Sequence, residues 1–302
     1  MKLKKAFSFL EVAISILIIS IVLATVLTSK YLIKESRVAS AKSLTKDSPI
    51  LHTSQVTLWL EDTVETSFKD NEIQDYQNLS SAEIALGKGS ITKWYDRNPH
   101  PVARKNAIMS TIANAPKYYR DCVNDLPCLN FTSANQHYFE VENTASLTLN
   151  DYSIFIVDKR NSFGLMPLIG SNSYSSDNES LEIGYTDSDT VYWNQGGSTE
   201  EKYTISVNYQ EKIKLHSFVN STNQSGSASL YYYINSQLIT ADNPPATSDF
   251  STLTLGSALR IGNSASSYYD GSICEIIIIP YAVSTRQRIE IQQYLLKKWK
   301  IQ

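Results

Sequence analysis

From Val12 to Ser29 the chain reads VAISILIISIVLATVLTS, eighteen residues without a charge. No other segment constrains the fold as strongly, because a run of this length spans a bilayer as a single helix. Three lysines, Lys2, Lys4 and Lys5, precede it, which sets the N-terminus on the cytoplasmic side and the rest of the chain outside. A secretory signal would end in a small-x-small cleavage site after the run. Here the chain continues as KYLIKESRVASAKSLTKD, with neither Gly nor Pro before Pro49. The composition predicts one helix from about Phe7 to about Lys46, roughly 60 Å long, apolar in its first half and polar in its second. Lys30, Lys34, Arg37, Lys42 and Lys46 crowd that second half, with Glu35 the only acid among them.

The remaining residues are globular in composition. The chain is 42% hydrophobic and 19% charged, enough to bury a core and too apolar for disorder. The net charge of −3 argues against a nucleic-acid partner. Four His, three Cys and the lack of CxxC, HExxH, GxGxxG or GxxxxGK[ST] motifs leave little material for a metal or nucleotide cofactor.

Glu11 is out of place at the entrance of the apolar run, where a carboxylate either snorkels to the headgroup layer or takes a partner charge. The string Lys4-Lys5-Ala6-Phe7-Ser8-Phe9-Leu10-Glu11 resembles the processing site of type IV prepilins and pseudopilins. The resemblance implies a leader of residues 1–6, cut between Ala6 and Phe7 by an inner-membrane prepilin peptidase, with N-methylation of the Phe7 amine. It implies that Glu11 neutralises the amino group of a neighbouring subunit during filament assembly. Ala6 departs from the Gly usual at that place, which puts the rate of processing in doubt. The implied location is the bacterial inner membrane, as a single pass over about residues 8–29, and then the periplasm or a surface filament. The implied partners are other pilin or pseudopilin subunits, the peptidase and the membrane.

Pro49 ends the helix, residues 49–56 form a linker, and residues 57–302 form the globular domain. Alternation of Val56, Leu58 and Leu60 predicts a strand over 52–60, and a helical turn is expected near 80–86. Strands are expected at 138–142, 152–160, 181–186, 202–208, 212–220, 228–239, 258–263 and 272–280, each rich in Tyr, Ile, Val and Phe. Turn-forming stretches at 173–180, 194–200, 221–227 and 242–249 separate them, and 202–208 with 212–220 fits a hairpin. Residues 284–299 have helical character with an apolar side. Regular strand spacing predicts a sandwich.

The tail Ala258-Leu259-Arg260-Ile261-Gly262-Asn263, then Tyr268-Tyr269-Asp270-Gly271-Ser272-Ile273-Cys274-Glu275-Ile276, then YLLKKWKI ending at Ile301, resembles laminin-G-like domains. Leu58-Trp59-Leu60-Glu61, Trp94-Tyr95-Asp96 and Leu129-Asn130-Phe131 resemble their earlier strands, with Glu61 where Asp is usual. The implied fold is mainly β: an antiparallel concanavalin A-like jelly-roll sandwich, preceded by the long membrane or filament helix and closed by a short C-terminal helix. Trp59 and Trp94 are expected in the core, and Trp299 is expected to plug one end of the sandwich. Gly262 and Gly271 are expected at turns or bulges.

Cys122 and Cys128, with five residues between them and outside the cytoplasm, are expected to form a disulfide around Asn124, Asp125 and Pro127. Cys274, in an apolar strand, is expected to be a buried thiol. Glu140 with Glu142, and Glu179 with Glu182, are the carboxylate pairs to weigh for glycosidase chemistry. No E-x-D-x-x-E strand supports them, and the expectation is a non-enzyme. Asp187 and Asp189, with Asp177, are weak calcium candidates, and no other cofactor is expected. Tyr192, Trp193, Tyr268 and Tyr269, with Tyr185 and Tyr209, are candidate aromatic platforms for a glycan or a surface protein. The combined expectation is a minor pilin or pseudopilin-like subunit of a type IV pilus or type II secretion filament, because the globular part is large for a major subunit. The alternatives are a membrane-anchored carbohydrate-binding adhesin and, more remotely, a glycan hydrolase.

Overall fold

A computed structural model describes residues 9–69, 71–171, 178–196, 201–205, 211–222, 228–242, 250 and 252–302. Helix α1 (Phe9–Lys46) runs unbroken for 38 residues, and Ser48 and Pro49 then start a single 3-10 turn, Pro49–His52. The two-residue break follows from Pro49, which forbids the helical conformation at its predecessor. Helix α2 (Ser81–Ala85) is one turn held by a Ser80–Glu83 capping box, and helix α3 (Thr285–Trp299) starts at a second such box, Ser284–Gln287.

Two antiparallel sheets of eight strands form a sandwich. The first sheet runs, in spatial order, Gln237–Ile239, Ala228–Ile234, Lys214–Thr222, Tyr152–Arg160, Gly271–Ile279, Leu126–Phe131 and Lys117–Val123, with Leu58–Glu61 also pairing to Gly271–Ile279. The second runs Glu201–Thr204, Thr190–Asn194, Glu182–Tyr185, Met166–Ser171, Leu259–Ile261, Phe139–Val141, Ala107–Ile108 and Lys93–Trp94. The strands Tyr152–Arg160 and Gly271–Ile279 are central and read as nearly continuous apolar runs because both their faces are covered. Ile154, Ile156, Ile276 and Ile278 face the core between the sheets. Phe155, Val157, Ile277 and Ile279 face a second core on the outer side, capped by Ile291, Tyr294, Leu295 and Trp299 of α3 and Ala41 of α1. Alternation places consecutive residues on opposite faces, so one strand supplies two cores.

Several expectations change here. Residues 228–239 form two strands, because Asn235 and Ser236 both take positive φ (47° and 71°) and make a two-residue hairpin turn. The strand Glu201–Thr204 does not pair with Lys214–Thr222: the first joins Thr190–Asn194 in the second sheet, the other lies in the first sheet. Trp59 and Trp94 are fully buried, but Trp299 fills the outer core beneath α3 rather than an end of the sandwich. Gly262 has φ +80°, and a Cβ there would sit 2.7 Å from the Phe131 ring. At Gly271, φ is +152° and a Cβ would meet the Lys159 carbonyl at 2.5 Å.

The expected disulfide joins Cys122 and Cys128. It staples neighbouring strands whose turn residues, Asn124 and Asp125, both have positive φ, so the loop is a tight hairpin. Pro127 is in the strand, not the loop. It lies opposite the irregular stretch between Tyr119 and Val123, where no ladder N–H is required of it. Replacing both cysteines by Ser is expected to lower stability by about 2 kcal/mol, from the chain entropy of so short a loop. A denaturation midpoint that does not move between the two proteins would refute this.

Candidate functional site

Helix α1 divides into two halves with different surroundings. Its first half is exposed on every side: Phe9 is 90% accessible, and Leu10, Ile14, Ile16, Leu17, Ile18, Ile19, Ile21, Val22, Leu23 and Val26 are all exposed. Length and composition suffice to cross a membrane. The hydroxyls within this half fold back on the helix. Ser15 donates to the Glu11 carbonyl at 2.7 Å, Ser20 to Ile16 at 2.8 Å, Thr28 to Ala24 at 2.8 Å and Ser29 to Thr25 at 2.8 Å. Those donors are therefore satisfied without water, as an apolar environment demands. Glu11 is in the first turn described, while Ala6 and Phe7 lie outside the described residues.

The second half is docked. Val38, Ala41 and Leu44 pack into the outer core. Lys34 pairs with Asp121, Arg37 with Asp125 and Lys42 with Glu65, and Arg120 reaches back to Glu35 at 3.0 Å. Two of these acids, with Arg120, belong to the disulfide hairpin. Each pair is partly exposed and individually worth little, but together with the apolar contacts they fix which face of α1 meets the domain. The basic cluster of the sequence is thus largely a docking strip.

The same junction holds a buried ionic knot that the sequence did not reveal. The Lys298 ammonium lies 2.9 Å from Glu61 and 2.8 Å from Glu275, with all three side chains inaccessible. Glu275 also accepts from the Trp59 indole at 2.9 Å, the Tyr294 hydroxyl at 2.8 Å and the Trp299 indole at 2.8 Å. Glu61 accepts from Thr63 N at 2.9 Å, Thr63 Oγ1 at 2.7 Å and Ser67 Oγ at 2.8 Å. Burial alone would raise the Glu61 carboxyl, but Lys298 and these hydroxyls outweigh it and hold it below the usual range. The Lys298 ammonium, which burial would depress, is held well above its usual value by Glu275 and Glu61.

A second buried network links the sheets. Asp158 accepts from Tyr185 Oη at 2.9 Å and Tyr269 Oη at 2.7 Å, and lies 2.9 Å from His216 Nε2. His216 Nδ1 meets Tyr232 Oη at 2.8 Å, so the tautomer consistent with the network carries its proton on Nε2. Burial works to raise Asp158, yet Lys214 and His216 bring it down to about 2, while burial pushes His216 below its usual value. Both shifts have the same sign for stability. The His216 contribution is present above about pH 6.5 and is lost below it, as the unfolded chain takes the proton first. The Asp158 contribution is present above about pH 4 and is lost as pH falls towards 2. The urea midpoint is therefore expected to drop between pH 7.5 and 5 and again below 4. A flat profile across the first interval would contradict a neutral His216.

These two networks change the reading of the aromatic candidates. Trp193 is wholly buried among Tyr152, Phe218 and Phe250, Tyr192 is 3% accessible, and Tyr185 and Tyr269 are buried. They face the core because each falls on the inward or tightly covered side of its strand, and none can stack on a ligand. Tyr268 remains half-exposed, tilted against Tyr138 at 6.2 Å between ring centres. Tyr209 and Asp177 lie outside the described residues.

Asp187 and Asp189 occupy the turn between Glu182–Tyr185 and Thr190–Asn194, where Asp187 Oδ1 accepts from the backbone N–H of Asp189 at 3.0 Å and Thr190 at 2.8 Å. That carboxylate closes a turn. Among the described residues no cluster of three His, Cys, Asp or Glu is placed to hold a metal ion. Glu140 pairs with Arg260 at 3.3 Å, and Glu142 accepts from Asn106 at 2.9 Å. Glu182 accepts from Ser264 at 2.5 Å. Cys274 is buried and free.

An open groove of about 950 Å³ lies beyond the C-terminal end of α3. The disulfide hairpin, Lys159, residues 211–213, the 235–239 hairpin, Lys300 and Gln302 line it.

No protein-family model and no curated protein matches the chain. Solved structures match it by shape. The binding domain of Paraclostridial Mosquitocidal Protein 1 superposes with a TM-score of 0.52 at 11% identity, over 81% of this chain and 52% of that one. This chain thus spans about half the length of that domain. Trypanosoma rangeli sialidase matches at 0.49 and 12% identity, over 85% of this chain and 38% of that one. Domain 4 of AbnA, a GH43 extracellular arabinanase from Geobacillus stearothermophilus in complex with arabinotriose, matches at 0.41 and 13% identity, over 60% and 81%. At these identities the likeness is one of fold: an antiparallel β sandwich, here preceded by a long helix and closed by a short one.

Proposed function

We propose that the chain is a non-catalytic minor pilin or pseudopilin-like subunit, whose helix packs in a filament and whose sandwich is displayed as an interaction domain. The observation that carries the proposal is the division of α1: an exposed apolar half bearing Glu11 at its start, continuous with a half docked against the domain. A plain anchor requires only the first half. The docked continuation supports a subunit whose domain is oriented by its contacts with a shared helical core. The prepilin-like string Lys4–Glu11 supports the same reading from the sequence. The displayed ligand is proposed to be a glycan or a surface protein, in keeping with a sandwich whose fold resembles a binding domain.

Intact-mass and N-terminal analysis of protein from membranes and from sheared surface material tests this. The expected product begins at N-methylated Phe7 and occurs in the sheared fraction. A chain still beginning at Met1 and confined to the membrane sinks the filament reading and leaves a signal-anchored sandwich. Glycan-array binding by that anchored form would then support the adhesin.

A further inference from the structure

The groove beyond α3 is basic in a chain whose net charge is negative. Lys159, Lys212 and Lys300 line it, against the single acid Glu211. Lys212 and Lys300 are exposed and Lys159 is half-buried. Among the described residues none of the three enters an ion pair, in contrast to the lysines of the docking strip.

The position of the groove relative to α1 follows from packing. Helices α1 and α3 run antiparallel. Residues Pro49 and His52 adjoin Gln287, Glu290 and Ile291, whereas Arg37 and Ala41 adjoin Lys297, Lys298 and Lys300. Moving down α1 towards its apolar half is therefore moving towards the C-terminal end of α3. Asn124 donates to the Trp299 carbonyl at 2.7 Å and Asn235 to the Gln302 carbonyl at 3.2 Å, which brings both hairpins to that same end. Lys30 follows the apolar run directly, and Arg37, level with Asp125 of the hairpin, lies seven residues above it, or about 10 Å along the helix. The headgroup layer is itself roughly 5–8 Å deep. The groove thus opens at the membrane-proximal end of the sandwich, close to the reach of electrostatic attraction in physiological salt.

We propose that this groove docks acidic phospholipid headgroups, so that the unassembled subunit rests with Lys159, Lys212 and Lys300 on the membrane surface. The inference rests on the membrane-spanning reading of α1, and not on the filament or glycan readings. Charge complementarity favours an anionic occupant, and the helix geometry selects the bilayer, because the same helix that anchors the chain carries the groove to the headgroups. Basic residues just outside a span are drawn to acidic lipid in this way.

The test uses the full-length chain in vesicles of phosphatidylcholine alone, or of phosphatidylcholine with phosphatidylglycerol, read by amide hydrogen exchange. Exchange at residues 122–124, 211–213, 235–239 and 300–302 is expected to slow severalfold only in the acidic vesicles. The slowing is expected to vanish in about 0.5 M salt, where screening shortens to about 4 Å, and in the K159Q/K212Q/K300Q variant, whose exchange elsewhere should match the parent. Equal exchange in the two vesicle types overturns the proposal. So does slowing by soluble dextran sulfate over neutral vesicles without slowing by acidic lipid, which would assign the groove to an anionic glycan. A chain that floats with neither vesicle overturns the membrane reading, and the docking with it.

Discussion

Replacing Lys298 by Met is expected to destabilise the domain by about 3–5 kcal/mol, the largest loss expected of any single substitution in the outer core. The side chains are similar in length, so packing beneath α3 is nearly conserved and the loss is electrostatic. Glu61 and Glu275 would remain inaccessible to water with no cation between them. Glu275 keeps three neutral donors, from Trp59, Tyr294 and Trp299, and Glu61 keeps those of Thr63 and Ser67, but Glu61 loses the Lys298 charge that does most to hold its carboxyl ionised. The double variant Glu61→Gln with Lys298→Met is therefore expected to regain more than half of the loss. Chemical denaturation of the detergent-solubilised chains measures both. A single variant within about 1 kcal/mol of the parent would show that water reaches the knot. Its position explains the cost: it ties the first strand, a central strand and α3 together, and α1 docks against that assembly.

Glu11→Ala is expected to remove the protein from sheared filaments at least tenfold while leaving membrane levels and N-terminal processing unchanged. A partner charge offsets the desolvation of a carboxylate at the entrance of an apolar segment when that segment is buried among others. In the proposed filament that partner is the amine of a neighbouring subunit. Glu11→Asp should recover assembly in part, because it keeps the charge and shortens the reach. Quantitative immunoblotting of sheared and membrane fractions gives the ratio. Equal ratios for parent and Ala variant would remove Glu11 from assembly and, with it, the main chemical support for the filament.

The central strands and the helix–domain architecture were legible because each depends on local pattern: alternation and apolar run length. The disulfide was legible because five residues of turn-forming chain separate two cysteines. Partner choice among strands was not. The segments 202–208 and 212–220 look like a hairpin by spacing, yet the described strands Glu201–Thr204 and Lys214–Thr222 belong to opposite sheets. Pattern reports which faces are apolar but not which neighbour covers them. Four of the aromatic candidates, Tyr185, Tyr192, Trp193 and Tyr269, are buried for a related reason. Tyr and Trp in an alternating strand look alike whether they face a ligand or a core, and Trp193 and Tyr269 proved to face the core. One local signal does mark Lys298: Ile291, Tyr294, Leu295 and Trp299 define a helical stripe on which position 298 also falls.

The sequence by itself determined that a long apolar helix precedes a β sandwich, with Glu11 at its entrance and a short helix at its end, because periodicity and charge act over a few neighbouring residues. Only the tertiary structure decided that Glu61, Glu275 and Lys298, as much as 237 residues apart, share one inaccessible site, and that three scattered lysines converge on one groove beyond the C-terminal end of α3. Those meetings depend on the sandwich topology and on the antiparallel packing of α1 against α3. The long-range burial that produces them leaves no local trace in the chain.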